Sequence, residues 1–160
     1  MNTATSKIFW GYFQNTSWFT QWKKIKYYLV KFANDLGLEV KQDNLYNVII
    51  YKPASKGYEN HPAIILQSHI DMVCEKNGDC NFDFEKDSLQ LYIEDGFVRA
   101  KGTTLGADDG AGAALTMAIL ADKTLKHPAL ECVFTVCEEV GLIGAQALDK
   151  KDFTSKSLST

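Results

Sequence analysis

Apolar residues recur at helical spacing from Trp22 to Leu36, and lysines occupy several of the positions between them. Gly37 follows directly, which is typical of the end of a helix. The pattern therefore predicts an amphipathic helix that ends near Leu36. We interpret the lysines as its solvent-exposed face, because no aromatic or glycine-rich recognition motif for nucleic acid accompanies them.

Two apolar runs, at residues 47–51 and 63–68, predict neighbouring core strands. Residues 89–100 predict a β-hairpin whose tight turn is Asp95-Gly96. The hairpin leads directly into a glycine-rich segment.

A glycine-rich segment at 102–110 precedes small and apolar residues that predict a buried helix. Another core strand is predicted from Leu130 to about Cys137. The order strand, helix, strand predicts a parallel α/β unit.

Composition and charge narrow the class of protein. The chain has 160 residues, of which 46% are hydrophobic, and this predicts one domain or part of one. The net charge of -3 offers no overall attraction to nucleic acid or to an anionic membrane, so a small molecule is the expected partner. Polar residues interrupt the first 19 residues, which predicts neither a signal sequence nor a membrane span and makes a cytoplasmic location the expectation.

The four cysteines include no CxxC pair, so we expect reduced thiols that fill the core rather than disulfides. These residues are Cys74, Cys80, Cys132 and Cys137.

Three clusters of imidazole or carboxylate groups follow predicted strands or precede a predicted helix. They are His69 with Asp71, Asp108 with Asp109, and Glu138 with Glu139. Each cluster alone has an ordinary structural explanation, as a core histidine, a helix cap or a solvated turn. Functional groups of open α/β sheets gather at the carboxyl ends of strands, and so many carboxylates in one place repel one another unless cations neutralise them. Together the clusters predict a metal site.

The spacing of these residues adds detail. His69 and Asp71 face the same way on an extended segment, so the carboxylate can orient a metal-bound imidazole. Adjacent strand residues point in opposite directions, so one of Glu138 and Glu139 is expected to ligate metal while the other meets water. Imidazole with carboxylates suits Zn²⁺, Mn²⁺ or Co²⁺, and bridging carboxylates permit two ions.

Three motifs in this order carry a family resemblance: QSHIDMV at 67–73, GTTLGADDG at 102–110 and TVCEEVGLIGA at 135–145. The sequence resembles the aminoacyl-histidine dipeptidases, also called Xaa-His or cytosolic nonspecific dipeptidases, of the zinc aminoacylase and carboxypeptidase clan. The resemblance covers roughly residues 31–152. It implies an α/β fold: the N-terminal part of a zinc-peptidase-like catalytic domain, with a mainly parallel sheet, helices on its faces and no lid domain.

The resemblance also implies roles for site residues. His69 corresponds to the first metal ligand, Asp71 to the carboxylate that orients it, and Asp108 to the metal-bridging aspartate. Glu138 corresponds to the general base and Glu139 to a metal ligand. The implied reaction is zinc-dependent hydrolysis of dipeptides, of Xaa-His type or of broad specificity, by a metal-activated water. The resemblance allows a homodimer for the full-length family and leaves the oligomeric state of this chain open.

Residues 1–160 depart from the family pattern at both ends. The segment 1–30 diverges, and SWFTQWKK at 17–24 replaces an Ile-Pro-Arg stretch; the tail 153–160 diverges before the further aspartate and histidine ligands of the family. His61 and His127 precede predicted strands, which places them at the opposite edge of the sheet. We therefore expect weak or single metal occupancy and little peptidase activity for this chain alone.

Two alternatives remain at this stage. A truncated or pseudoenzyme chain shares every motif with a peptidase and differs from it only in the missing C-terminal ligands. A nucleotide binder would use the segment 102–110 as a phosphate loop, but the lysine of a P-loop is absent, and Asp108 and Asp109 would repel phosphate. The role of Asp109 is left unassigned.

Overall fold

The computed structural model describes residues 21–155 and 158–159. Its helices are α1 (Gln21–Asp35), α2 (Ala107–Ala121), α3 (Ile143–Gln146) and a short 3₁₀ helix (Lys150–Asp152). Its strands are β1 (Glu39–Gln42), β2 (Val48–Lys52), β3 (Ile64–His69), β4 (Leu91–Glu94), β5 (Phe97–Ala100), β6 (Leu130–Thr135) and β7 (Leu158–Ser159). The expectations for the first 20 residues, and for residues 156, 157 and 160 of the tail, lie outside the described residues.

Five strands form one sheet in the order β1-β2-β6-β3-β7. The pairs β1/β2 and β2/β6 are antiparallel, whereas β6/β3 and β3/β7 are parallel. The α/β class is confirmed, but the sheet is mixed. The prediction that the runs 47–51 and 63–68 are neighbours is wrong, because β6 lies between them. An apolar run indicates that a strand is buried, but it does not indicate which strand it pairs with. The strand β6, buried at all six residues, is the central strand of the five.

Alternate residues of β2 and β6 supply two apolar clusters. The larger cluster includes buried side chains of both long helices, such as Leu29 and Met117, together with Ile50, Cys132 and Phe134 of the sheet. Both helices therefore pack into one cluster. The free thiol of Cys132 is fully buried there, as the core-filling interpretation predicts, and burial raises its pKa to about 12.

The smaller cluster is built from the residues that alternate with these. Ile49, Ile65 and Val133 are buried, and Leu148 and Phe153 pack against them from the segment that follows β6. The segment after β6 therefore contributes to the packing of this cluster.

The predicted helix and hairpin are both found, with one correction. The hairpin turns at Asp95 (φ 51°) and Gly96 (φ 80°), the left-handed pair that a two-residue turn favours. The side chain of Lys31 on α1 is exposed, as expected for a solvated face. Lys26 is buried instead, because its ammonium group lies 3.8 Å from the centre of the Tyr46 ring.

Parallel pairing of β3 and β6 brings their carboxyl ends to the same edge of the sheet. His69, the last residue of β3, is opposite Thr135, the last residue of β6. The segments that carry the predicted site residues therefore emerge side by side, as predicted for parallel neighbours. Among the described helices, none has the length and apolar character to cross a membrane.

Candidate metal centre

His69 is the centre of the candidate site, and its side chain is 9% exposed. Nδ1 lies 2.9 Å from the backbone oxygen of Asp71, a group that can only accept a hydrogen bond. Nδ1 therefore carries a hydrogen. Nε2 lies 3.2 Å from Oδ1 of Asp108 and 3.9 Å from Oε2 of Glu138.

This arrangement leaves Nε2 in need of a positive partner. In the neutral ring with its hydrogen on Nδ1, Nε2 carries a lone pair. That lone pair would face the carboxylates of Asp108 and Glu138. Such an arrangement is repulsive unless a proton or a cation lies between the groups. The imidazole is consequently oriented as a metal ligand is, with one nitrogen held by a backbone acceptor and the other facing anionic donors.

Asp71 fastens the segment that carries the two glutamates. Its carboxylate accepts hydrogen bonds from the backbone N–H groups of Glu138 and Glu139, each at 3.1 Å. Oδ1 lies 3.7 Å from Nδ1 of His69, so the closest contact of that ring nitrogen with Asp71 is the backbone oxygen. Burial alone would raise the pKa of Asp71, but the nearby His69 ring and the hydrogen bonds from the two N–H groups outweigh this effect and lower that pKa.

Glu138 and Glu139 lie beyond the end of β6, on a turn that includes Cys137 in the left-handed region at φ 55°. The expectation that these neighbours point in opposite directions is wrong, because strand alternation stops at Thr135. Both glutamates instead offer an oxygen near the imidazole. Donor atoms of His69, Glu138 and Glu139 all lie within 4.8 Å of one another.

Asp108 and Asp109 precede the regular part of α2 and are joined by a cis peptide bond. The side chain of Asp108 is 92% exposed, and its contact with Nε2 of His69 places it beside the three-donor group. Asp109, whose role was left unassigned above, accepts hydrogen bonds from the backbone N–H of His69 (3.3 Å) and of Gly112 (3.0 Å). It thereby ties the start of α2 to the end of β3.

Gly112 is the residue that this contact requires. A Cβ atom on Gly112 would lie 2.1 Å from Oδ1 of Asp109, so no larger residue fits while Asp109 keeps its place. Burial raises the pKa of Asp109. Because an aspartate caps the first turn of α2, the phosphate-loop alternative is disfavoured.

The charge balance of the site favours a cation. In the part of the chain that the structure describes, the ion pairs of Asp71, Asp108 and Glu138 are all with His69. One imidazolium cannot neutralise these carboxylates and Glu139 as well. The donor set of one imidazole and several carboxylate oxygens fits Zn²⁺, Mn²⁺ or Co²⁺.

The other two histidines are remote from this group. His61 and His127 precede β3 and β6, at the opposite ends of the strands from His69. His127 is engaged there, since its Nδ1 lies 2.8 Å from the backbone oxygen of Pro128. The expectation that neither residue replaces a missing ligand agrees with these positions.

The pKa of His69 gives a first testable prediction. The interaction with Asp71 raises this pKa most, burial lowers it, and the hydrogen bond to Asp108 raises it further. The net effect is a rise in the pKa of His69 from 6.5 to about 9 in the metal-free chain. A pKa raised by folding stabilises the folded state fully below 6.5, and this stabilisation is lost as pH rises through about 9. We expect a loss of about 2 to 3 kcal/mol in the free energy of unfolding.

Urea unfolding with a chelator present, at several pH values between 6 and 10, measures this loss. His69→Gln serves as the control because glutamine does not titrate in this range. An equal fall in stability for both proteins would contradict the prediction.

A protein-family model and a bacterial relative match much of this chain. The model for peptidase family M20/M25/M40 matches residues 65–157. The cytosol non-specific dipeptidase of Escherichia coli K12 is 46% identical over 121 residues, which are 76% of this chain and 25% of the relative. This chain therefore spans about a quarter of the length of that relative.

Solved structures similar to this one include the following two. The aminoacylhistidine dipeptidase of Vibrio alginolyticus superimposes with a TM-score of 0.92 and 38% identity, over 98% of this chain and 32% of that one. A dinuclear metal-binding M20 peptidase of Bacillus subtilis matches with a TM-score of 0.56 and 16% identity, over 90% of this chain and 37% of that one, a likeness of fold alone.

Proposed function

Because this chain belongs to peptidase family M20/M25/M40, we propose that its strand-end cluster is part of the metal centre of a dipeptidase. The observation that carries the proposal is the convergence of His69, Glu138 and Glu139, whose donor atoms lie within 4.8 Å of one another. His69 and Glu139 would ligate the ion. Asp108, beside the imidazole, would provide the carboxylate that bridges to a second ion.

A bound divalent cation polarises a peptide carbonyl and makes water a better nucleophile at neutral pH. Glu138 is the proposed general base. Its carboxylate lies 3.9 Å from Nε2 of His69 and belongs to the three-donor group, so it can take a proton from water beside the ion. The same carboxyl group would then give that proton to the leaving amine. Asp71 keeps both glutamates in place through their backbone N–H groups.

The proposed substrates are dipeptides, of Xaa-His type or of broad specificity, and the proposed location is the cytoplasm. Both proposals rest on the names of the similar proteins, a cytosol non-specific dipeptidase and an aminoacylhistidine dipeptidase. Zn²⁺ is the proposed ion, with Mn²⁺ and Co²⁺ as alternatives that the same donors accept.

Metal titration tests the proposal directly. Calorimetry of the chelator-treated 160-residue chain with Zn²⁺, Mn²⁺ and Co²⁺ is expected to show saturable binding of an ion. Because Glu138 is reserved as the base, His69 and Glu139 are the ligands that the compact group offers, fewer than the three of a usual catalytic zinc site, and we expect single occupancy and weaker binding. Absence of binding for all three metals would contradict the proposed centre.

Hydrolysis assays with a panel of dipeptides that includes Xaa-His peptides distinguish a weak metal site with little activity from a working peptidase. We expect little turnover by the 160-residue chain, because the compact group among the described residues leaves only His69 and Glu139 as ligands once Glu138 acts as the base. Robust metal-dependent turnover, abolished by Glu138→Gln, would instead establish a working peptidase and refute the weak-site expectation.

A further inference from the structure

Asn47, the residue before β2, is fully buried and uses its whole side-chain amide. Its Oδ1 accepts a hydrogen bond from the backbone N–H of Val136 at 3.0 Å. Its Nδ2 donates to the backbone oxygen of Gly144 at 2.9 Å and to the carboxylate of Asp43 at 2.6 Å. Since every polar contact has a defined donor and acceptor, the orientation of the amide is fixed.

These contacts close the turn that carries the two glutamates. Val136 and Gly144 are its two ends, and the N–H of Gly144 donates to the oxygen of Val136 at 3.1 Å. Asn47 binds the backbone N–H of Val136 at one end and the backbone oxygen of Gly144 at the other, as a neighbouring backbone segment would. The turn between them contains Glu138 and Glu139, and neither glutamate contacts Asn47 in these hydrogen bonds.

The fit around Gly144 is close. A Cβ atom on this residue would lie 2.1 Å from the backbone oxygen of Val136 and 2.6 Å from Oδ1 of Asn47. The ends of the turn can therefore approach this closely only with glycine at 144. Asp43 secures the arrangement from the other direction, because its carboxylate also accepts the backbone N–H of Asn47 at 2.9 Å.

We propose that Asn47 is a positioning residue for the metal centre, holding Glu138 and Glu139 at ligand distance from His69 by fastening the turn 136–144 at both ends. Asp71 fastens the middle of the same turn through the N–H groups of the two glutamates. The turn is thus held at three points, two of them by Asn47. The inference rests on the proposed function in one respect only, which is that the glutamates serve a metal ion.

The test compares Asn47→Ala with Asn44→Ala, a neighbouring exposed asparagine, in the 160-residue chain. Amide hydrogen exchange is measured by NMR without metal. In Asn47→Ala the amides of Glu138 and Glu139 are expected to exchange at least about tenfold faster relative to wild type, because opening of the turn exposes them. The amides of β3 should change little, and Asn44→Ala should match wild type throughout.

Metal binding supplies the second readout. With Co²⁺ as the probe, Asn47→Ala is expected to bind at least about tenfold more weakly, with an altered visible absorption spectrum. An unchanged affinity and spectrum would overturn the positioning role at the metal centre. If the wild-type chain binds no metal, the proposed function fails, and the exchange experiment still decides whether Asn47 positions the glutamates.

Loss of protection spread evenly over the sheet, or unchanged exchange at Glu138 and Glu139, would overturn the inference. If Asn47→Ala does not fold, the same exchange measurement is made on Asp43→Ala, which removes the partly exposed carboxylate that orients the amide. Faster exchange confined to the turn supports the inference in that variant, and unchanged exchange there overturns it.

Discussion

His69→Ala is expected to lower the affinity of the chain for Zn²⁺ by at least about 100-fold. The imidazole is the one nitrogen donor of the compact group, and its ring is already oriented by the hydrogen bond from Nδ1 to the backbone oxygen of Asp71. The change removes this nitrogen ligand, and water, which is not held in place, would have to take its position on the ion. Competition with a chromophoric chelator measures the affinity.

His61→Ala is the matched control, because His61 is exposed and lies at the opposite end of β3. It should bind Zn²⁺ as the wild-type chain does. Circular dichroism of both variants verifies that the fold is kept. Equal affinities for His69→Ala and His61→Ala would show that the ion binds elsewhere and would remove His69 from the proposed site.

The apolar runs of β3 and β6 were visible in the sequence, and so was the gathering of His69 and Asp71 at a strand end. The order of strands was not, because burial on both faces gives β2, β3 and β6 similar apolar patterns. The pair Glu138-Glu139 illustrates a second limit. Strand alternation predicted opposite directions for these residues, but a chain that leaves its strand after Thr135 no longer follows the period of two.

Supporting contacts were the hardest part to predict. Asn47 bonds to Gly144 across 97 residues of sequence, and Asp109 bonds to His69 across 40. Nothing in the local pattern reports such partners, since an asparagine before a strand or an aspartate before a helix has an ordinary local explanation. The family motifs identified the reactive groups, and the tertiary structure was needed to show what holds them.

Glu131 is a further buried polar residue that the sequence pattern did not explain. It is 3% exposed and is the second residue of β6. Its carboxylate accepts hydrogen bonds from the backbone N–H (2.8 Å) and hydroxyl (2.6 Å) of Thr154 and from the backbone N–H of Ser155 (3.3 Å). The residue thereby anchors the segment that follows the 3₁₀ helix to the central strand, and Phe153 of that segment packs into the smaller cluster.

Glu131→Ala is therefore expected to reduce the free energy of unfolding by about 3 kcal/mol. Hydrogen bonds to a charged acceptor contribute about 1.5 to 3 kcal/mol each, and the cost of burying the charge offsets part of that gain. Glu131→Gln keeps one oxygen acceptor for Thr154 and should lose less, about 1 kcal/mol. Urea unfolding followed by circular dichroism measures both changes.

Glu39→Ala, on the exposed edge strand β1, is the control, and its free energy of unfolding should lie within about 0.5 kcal/mol of the wild-type value. If Glu131→Ala were as stable as Glu39→Ala, the desolvation cost of the buried carboxylate would equal the benefit of its three hydrogen bonds, and Glu131 would not anchor the segment.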